Sequence, residues 1–402
     1  MKKILLFAAV LSVLTAGAAQ AEDSVPASPV KLELGGFMTW YGSYANQKRA
    51  TLVDATGAGT LVPINEYNAF DIMGNAEIYF SGKAELDNGM TVGVMVQLEA
   101  GTDPATSSKT IDETYLTLDT KAGRFIVGNV KSTAAQMSVL APTVSTIGQQ
   151  DSDWDRMIVK PYGFSAYSSA YSLVDSISTK ISYITPTFNG FTAGFSVMPG
   201  NASKGQDDNN LLFPISGKTI QRDFKQAFSA VGLYEGEIGG FDISSSVSYS
   251  SYKPNPLSLG SINGTDVIIR EPVKTIKEYA GGLNIGMGNW VVGGSYRYVD
   301  AAKTSVAVMQ DDATGYMWDA GVSYSFGPFE TSLNYLHSRK NNYAFDGKDE
   351  YNLYQIAGNY KLGAGVDTFI NVAYVEYESA DKNVRGKSNE GLAVATGMNL
   401  SF

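Results

Sequence analysis

A charged constellation stands at Asp151, Asp153 and Asp155, with Arg156 and Lys160 close behind. Carboxylates grouped this way concentrate cations and repel anions. The rival interpretation is a solvated turn, because charge runs are often nothing more. Acidic loops also bind calcium through oxygen ligands, and Gln206-Asp-Asp-Asn-Asn210 and Gln310-Asp-Asp312 are the richest candidates. Neither has the ligand spacing of an EF-hand loop, so no cofactor and no metal site is expected, with calcium as the minor alternative. The only histidine, His337, is followed by Ser338. Adjacent strand residues point to opposite faces, so these two cannot form a hydrolytic pair. Gly286-Met-Gly288 has no following helix and does not read as a dinucleotide loop. There is no cysteine, which excludes disulfides and thiolate metal sites. No catalytic residue is expected, and the chain does not read as an enzyme.

The elements that must hold these residues are strands. In Gly391–Phe402 the positions Leu392, Val394, Thr396, Met398, Leu400 and Phe402 share one face, and small or polar residues share the other. The pattern recurs along nearly the whole chain. In the second strand Ile72, Ala76, Ile78, Phe80, Ala84 and Leu86 oppose Asp71, Asn75, Glu77, Ser81, Lys83 and Glu85. Four charges on one face could not meet hydrocarbon cheaply, so that face must look into water. Short turns such as Asp87-Asn88-Gly89 alternate with long polar loops, and about sixteen strands result. The expected fold is all-β: a transmembrane antiparallel β-barrel with short periplasmic turns and long extracellular loops. A barrel of that size leaves an aqueous channel rather than a filled core. Val130 to Asp175 is the longest interval without alternation. Aromatic residues near strand ends (Trp40, Tyr44, Tyr249, Tyr252, Trp290, Tyr298, Trp318, Tyr335, Tyr374 and Tyr377) read as interfacial girdles. Tyr41, Tyr79 and Tyr115 fall on the wet face and keep an inward sugar-binding slide as an alternative.

Residues 1–21 read as a secretory signal for the Sec pathway. Lys2 and Lys3 head an apolar run, and Ala19-Gln20-Ala21 is a small-x-small cleavage site. Residues 22–402 then form a single barrel domain. Removing the two lysines takes the net charge from −10 to −12, which argues against nucleic acid as a partner. Beyond the signal, no apolar run is long enough for a transmembrane helix.

At this point the chain resembles the trimeric general porins of the Gram-negative outer membrane. The resemblance rests on Gly82-Lys-Ala-Glu-Leu-Asp-Asn-Gly89, on Asp112-Glu-Thr-Tyr-Leu116 with Gly123-Arg-Phe125 and Gly128-Asn129, and on Ile181-Ser-Tyr-Ile-Thr-Pro186 running to Gly190-Phe191. The terminal Phe402 is similar to the family's assembly signal, read by the outer-membrane insertion machinery. The resemblance implies a third extracellular loop folded into the barrel, here about 130–175, and a homotrimer in outer-membrane lipid.

It also implies where selectivity is set, since charge and width at the narrowest point decide it in such a pore. Asp151, Asp153 and Asp155 are then expected as an acidic lip, with Arg156 beside them. Lys83, Arg124, Lys180 and Arg297 are the lumen-facing basic candidates, of which Lys83 and Arg124 sit near short turns. Glu77 and Glu99 are placed to reach mid-barrel, with a wall salt bridge as the competing role. The expected function is passive diffusion of ions and small hydrophilic solutes with a mild cation preference. The alternative is a substrate-specific channel with a binding site for a sugar or small acid.

Overall fold

The computed structural model describes residues 30–48, 51–53, 61–63, 68–100, 111–148, 153–161, 164–170, 177–200, 224–254, 257–262, 265–270, 274–301, 304–306, 309–311, 314–342, 347–380 and 388–402. The expected signal peptide lies outside them.

Period-2 alternation builds sixteen wall strands. They are β1 (Lys31–Gln47), β2 (Phe70–Glu85), β3 (Thr91–Glu99), β4 (Ile111–Thr120), β5 (Gly123–Val130), β6 (Ser178–Ile184), β7 (Phe191–Gly200) and β8 (Phe224–Ile238). The second half contributes β9 (Phe241–Pro254), β10 (Ile276–Met287), β11 (Trp290–Asp300), β12 (Gly315–Phe326), β13 (Phe329–Asn341), β14 (Lys348–Gly363), β15 (Val366–Glu378) and β16 (Asn389–Ser401). Each pairs antiparallel with its neighbours, and β16 returns to β1 to close the barrel. Closure matters because an open edge would leave backbone groups unpaired in lipid. The seam is completed by Phe402, whose backbone exchanges two hydrogen bonds of 3.0 Å with Gly36. Three short hairpins, Thr51–Val53 with Leu61–Pro63, Leu257–Ile262 with Thr265–Arg270 and Thr304–Val306 with Met309–Asp311, stand outside the barrel sheet.

One end of the barrel carries the short turns. Between β6 and β7 the tightest point is Phe188–Phe191, closed by two backbone bonds of 2.8 and 2.9 Å. Asn189 (φ 48°) and Gly190 (φ 83°) occupy its two central positions. Both need positive φ, which asparagine and glycine tolerate best. The other end carries the long connections.

The two faces follow the sequence. Leu32, Leu34, Trp40 and Tyr44 of β1 are exposed on the outside, while Thr39, Tyr41 and Ser43 are buried inside. His337 and Ser338 likewise part: His337 lies near Tyr316 and Trp318 on the outer face, and Ser338 is fully buried inside. Two aromatics leave the expected girdle. Tyr252 shares the inward face of β9 with Ser246 and Ser250, and Tyr377 is buried inside the barrel.

The inside is not uniformly wet. The connection between β5 and β6 folds inward, and its Ile147, Trp154, Met157, Ile158, Phe164 and Tyr167 pack against inward residues of the wall. Those partners include Met317, Leu336, Leu353, Phe369, Val375 and Tyr377. A hydrophobic core therefore fills one side of the barrel, between loop and wall. Period-2 alternation could not show this, because the apolar residues of β12–β16 occupy both faces.

Candidate functional site

The infolded loop begins with one helical turn, α1 (Thr133–Gln136). Its N-cap, Ser132, accepts a 3.2 Å hydrogen bond from the Ala135 amide. The amide of Thr133 donates to Ser196 on β7 at 2.9 Å. From there the loop crosses the wall strand by strand. The Val139 amide donates to Ser246 of β9 at 2.8 Å, and Asn284 of β10 donates to the carbonyl of Leu140 at 3.0 Å. The Ala141 amide donates to Asp319 of β12, Asn334 of β13 donates to the carbonyl of Pro142, and the Val144 amide donates to Ser332. Wall side chains thus satisfy backbone groups that an extended buried segment would otherwise leave unpaired.

A 3-10 turn, Asp153–Arg156, then drops Trp154 into the core. Its indole N–H donates to Gln355 of β14 at 2.9 Å. Beyond it the loop reaches the seam. Gln47 of β1 donates to the carbonyl of Met157 and accepts from the Val159 amide, and Asn389 of β16 donates to the carbonyl of Val159. The returning limb binds Asp349 through Ser165, and Ser338 donates to the carbonyl of Tyr167. Burial pushes the Tyr167 phenol above its ordinary pKa.

The residues singled out from the sequence fall into three groups. Asp151 lies outside the described residues, as does Gln206–Asn210. Gln310 and Asp311 belong to a short hairpin whose side chains are not described, and Asp312 lies outside. The first group ties the loop down. Asp153 accepts from the Gly148 amide at 2.8 Å. Asp155 accepts from Tyr377 and from Ser168, both at 2.6 Å, and meets Lys160 at 3.6 Å. Lys180 is buried and donates to the carbonyls of Val130 and Ser178, where the loop leaves and rejoins the wall. Arg297 is buried against Glu278 at 3.8 Å, donates to the carbonyl of Ser169 at 2.9 Å and stacks on Tyr167. Arg156 is exposed on the loop.

The second group lies at the turn end. Lys83 is exposed, two positions before the end of β2, and Arg124 pairs with Asp119 beside the β4–β5 turn.

The third group lines the wall away from the loop. Glu77 and Glu99 face each other in the β2–β3 register. Glu77 accepts from Tyr79 at 2.7 Å and from Gln97. Glu113 of β4, which sequence reasoning did not select, accepts from the Lys131 amide at 3.3 Å. Its position in the Asp112-Glu113 pair, two residues before Tyr115 on the wet face, was the available signal. Glu77, Glu99 and Glu113 all keep solvent contact, whereas Leu336, Ser338, Tyr351, Leu353, Val375 and Tyr377, on the inward face of β13–β15 beneath the loop, are buried. Glutamates directly opposite each other repel, so the pair is placed against stability. Of the three wet-face tyrosines, Tyr41 is covered and meets Phe369 edge-on at 6.2 Å, while Tyr79 and Tyr115 remain on the solvated wall. Among the described residues no group of three acidic, histidine or cysteine side chains is arranged to hold a metal ion.

Comparison with known proteins agrees with this geometry. An uncharacterised protein of Rickettsia conorii is 22% identical over a 457-residue alignment that spans both chains completely. A counterpart from Rickettsia felis is 23% identical, again over the whole of both chains. Among solved structures, the anion-selective porin of Comamonas acidovorans superposes with a TM-score of 0.59 at 16% identity, covering 93% of this chain and all of that one. A porin structure refined at 1.8 Å resolution superposes with a TM-score of 0.56 at 12% identity and 92% coverage. These similarities describe the fold. The profile described as Gram-negative porin matches residues 8–380, and with a closed sixteen-strand barrel narrowed from within, the chain belongs to that family of bacterial outer-membrane channels.

Proposed function

We propose that this barrel passes ions and small hydrophilic solutes by passive diffusion, with a mild preference for cations. The observation that carries the reading is the division of the lumen. The loop buries the inward residues of β12–β16 that it covers, and at the same level the inward Glu77, Glu99 and Glu113 of β2–β4 keep solvent contact. A solute crossing the barrel then runs between the outer face of the loop and a wall bearing Glu77, Glu99 and Glu113. Carboxylates at close quarters raise the local cation concentration. On this reading the wall carboxylates form the acidic lip in place of the loop aspartates, and the hydrogen bonds of Asp153 and Asp155 suit a role in holding the loop. The Comamonas acidovorans porin of the same fold is described as anion-selective, so the sign of the preference is what the test must read. The outer face of apolar side chains suits lipid or a second copy of the chain, and the family resemblance supports a homotrimer. Phe402, exposed on the outside at the end of the closing strand, suits recognition by the insertion machinery.

The test is single-channel current from the refolded mature chain in a planar bilayer under a potassium chloride gradient. Ohmic steps in threes with reversal on the cation side support the reading. Reversal on the anion side would remove the cation preference and keep the channel. Saturable block by a sugar or small acid would favour a substrate-specific channel. A folded barrel that passes no current would overturn diffusion altogether.

A further inference from the structure

Two rows of inward residues run sideways across the wall beneath segment 138–144. Ser246, Gly282, Ser295 and Asp319 are register partners across β9–β12, and Asn284, Gly293, Gly321 and Asn334 are partners across β10–β13. Every one is glycine, serine, asparagine or aspartate. Past β12 the first row continues into Leu336 of β13 and Leu353 of β14, and there the loop stands on the hydrophobic core instead.

Over the two rows the loop lies flush on the sheet. A Cβ on Gly282 would sit 1.8 Å from the carbonyl oxygen of Val139, far inside the 3.4 Å where ordinary contact begins. A Cβ on Gly321 would sit 2.7 Å from the carbonyl oxygen of Pro142. One on Gly293 would meet Oδ1 of Asn284 at 1.9 Å, displacing the side chain that donates to Leu140. Ser246, Asp319, Asn284 and Asn334 of the same rows strap that backbone down.

We infer that this trough sets the width of the pore: Gly282 and Gly321 are positioning residues that fix how far the loop stands from its wall, although they sit beneath the loop. The inference rests on the channel reading. Backbone carbonyls cannot yield as a flexible side-chain tip can, so any side chain at Gly282 moves segment 138–144 away from the wall and toward β2–β4. The passage narrows from the side opposite the charges, and size exclusion changes without a change in the wall carboxylates.

The experiment uses the full mature chain, refolded, with Gly282→Ala, Gly321→Ala and Gly282→Val. Gly358→Ala is the control, since its Cβ would meet Ile370 at an ordinary 3.5 Å on the outer face. Folding is checked by heat-modifiable migration. Single-channel conductance and the largest polyethylene glycol that enters the pore are then read. Both should fall in the glycine variants, most in Gly282→Val, while the reversal potential and the control stay at the wild-type value. A folded Gly282→Ala with unchanged or raised conductance would overturn the inference and leave the channel intact. A wild-type barrel without current overturns both. Should the glycine variants fail to fold, the pair Ser246→Ala with Asn334→Ala adds no bulk and frees the segment. It should give larger or unsteady currents, and wild-type current from it would also overturn the proposal.

Discussion

Tyr377 of β15 donates a 2.6 Å hydrogen bond to Oδ1 of Asp155, whose Oδ2 accepts one of equal length from Ser168. One carboxylate therefore joins the 3-10 turn of the loop to the wall and to the loop's own returning limb. Hydrogen bonds to a charged group contribute about 1.5–3 kcal/mol each. Asp155→Ala should leave the barrel folded but make its current unsteady, because the turn loses both anchors. Asp155→Asn keeps an acceptor for Tyr377 and should hold the wild-type reversal potential. A large shift of that potential in Asp155→Asn would return the aspartate to the conduction path.

Trp154 is the deepest anchor of the loop. It is fully buried, and its indole N–H is satisfied by Gln355. Truncating a buried tryptophan costs about 3–5 kcal/mol. Here the cost falls on loop seating, since the strand ladders are untouched. Trp154→Ala should raise conductance and expose the 153–161 segment to protease while the barrel remains heat-modifiable. Protection equal to wild type would mean that the polar straps alone hold the loop.

The barrel was legible in the sequence because lipid imposes a strict alternation, as in Leu392 to Phe402 against the small residues between them. The loop was legible as an interval without alternation, and its inward fold as what the family resemblance implies. Its contacts were not. Asp155 and Arg297 look like pore charges from their types alone, yet each is bound by partners remote in sequence: Tyr377 is 222 residues from Asp155, and Ser169 is 128 residues from Arg297. The dry half of the lumen was hidden for a related reason. Leu336 and Leu353 read as extra apolar residues until Trp154 and Ile158 are placed over them. Glu77 and Glu99 could be placed by alternation and hairpin register, which are local.

The wall glutamates give the direct test of selectivity. Glu77→Gln, Glu99→Gln and Glu113→Gln are nearly isosteric and keep hydrogen-bonding capacity while removing charge. Each should move the reversal potential toward the anion side, and the triple variant should move it furthest. Conductance in high salt should change little, since exposed charges are screened there. If the three substitutions leave the potential in place, the cation preference has another source. Relief of repulsion between Glu77 and Glu99, which face each other directly, should also make Glu99→Gln no less stable than wild type in urea.

Arg297 and Glu278 are both almost fully buried, 3.8 Å apart, where the loop returns to the wall. The guanidinium also donates to the carbonyl of Ser169 and lies 4.7 Å from the Tyr167 ring. Removing one member of a buried pair strands the other, at a cost of about 3–5 kcal/mol. Arg297→Met should therefore destabilise the refolded barrel by that order. Glu278→Gln in the same chain should restore part of the loss, because no uncompensated carboxylate remains. Arg297→Lys should not rescue fully, since an ammonium lacks the planar fork that serves Glu278, Ser169 and the Tyr167 face together. Urea unfolding of wild type, Arg297→Met, Glu278→Gln and the double variant, followed by the gel shift of the folded barrel, closes a double-mutant cycle on the pair. Strict additivity in that cycle would show that Arg297 acts through Ser169 and Tyr167 alone, and that Glu278 is held by other partners.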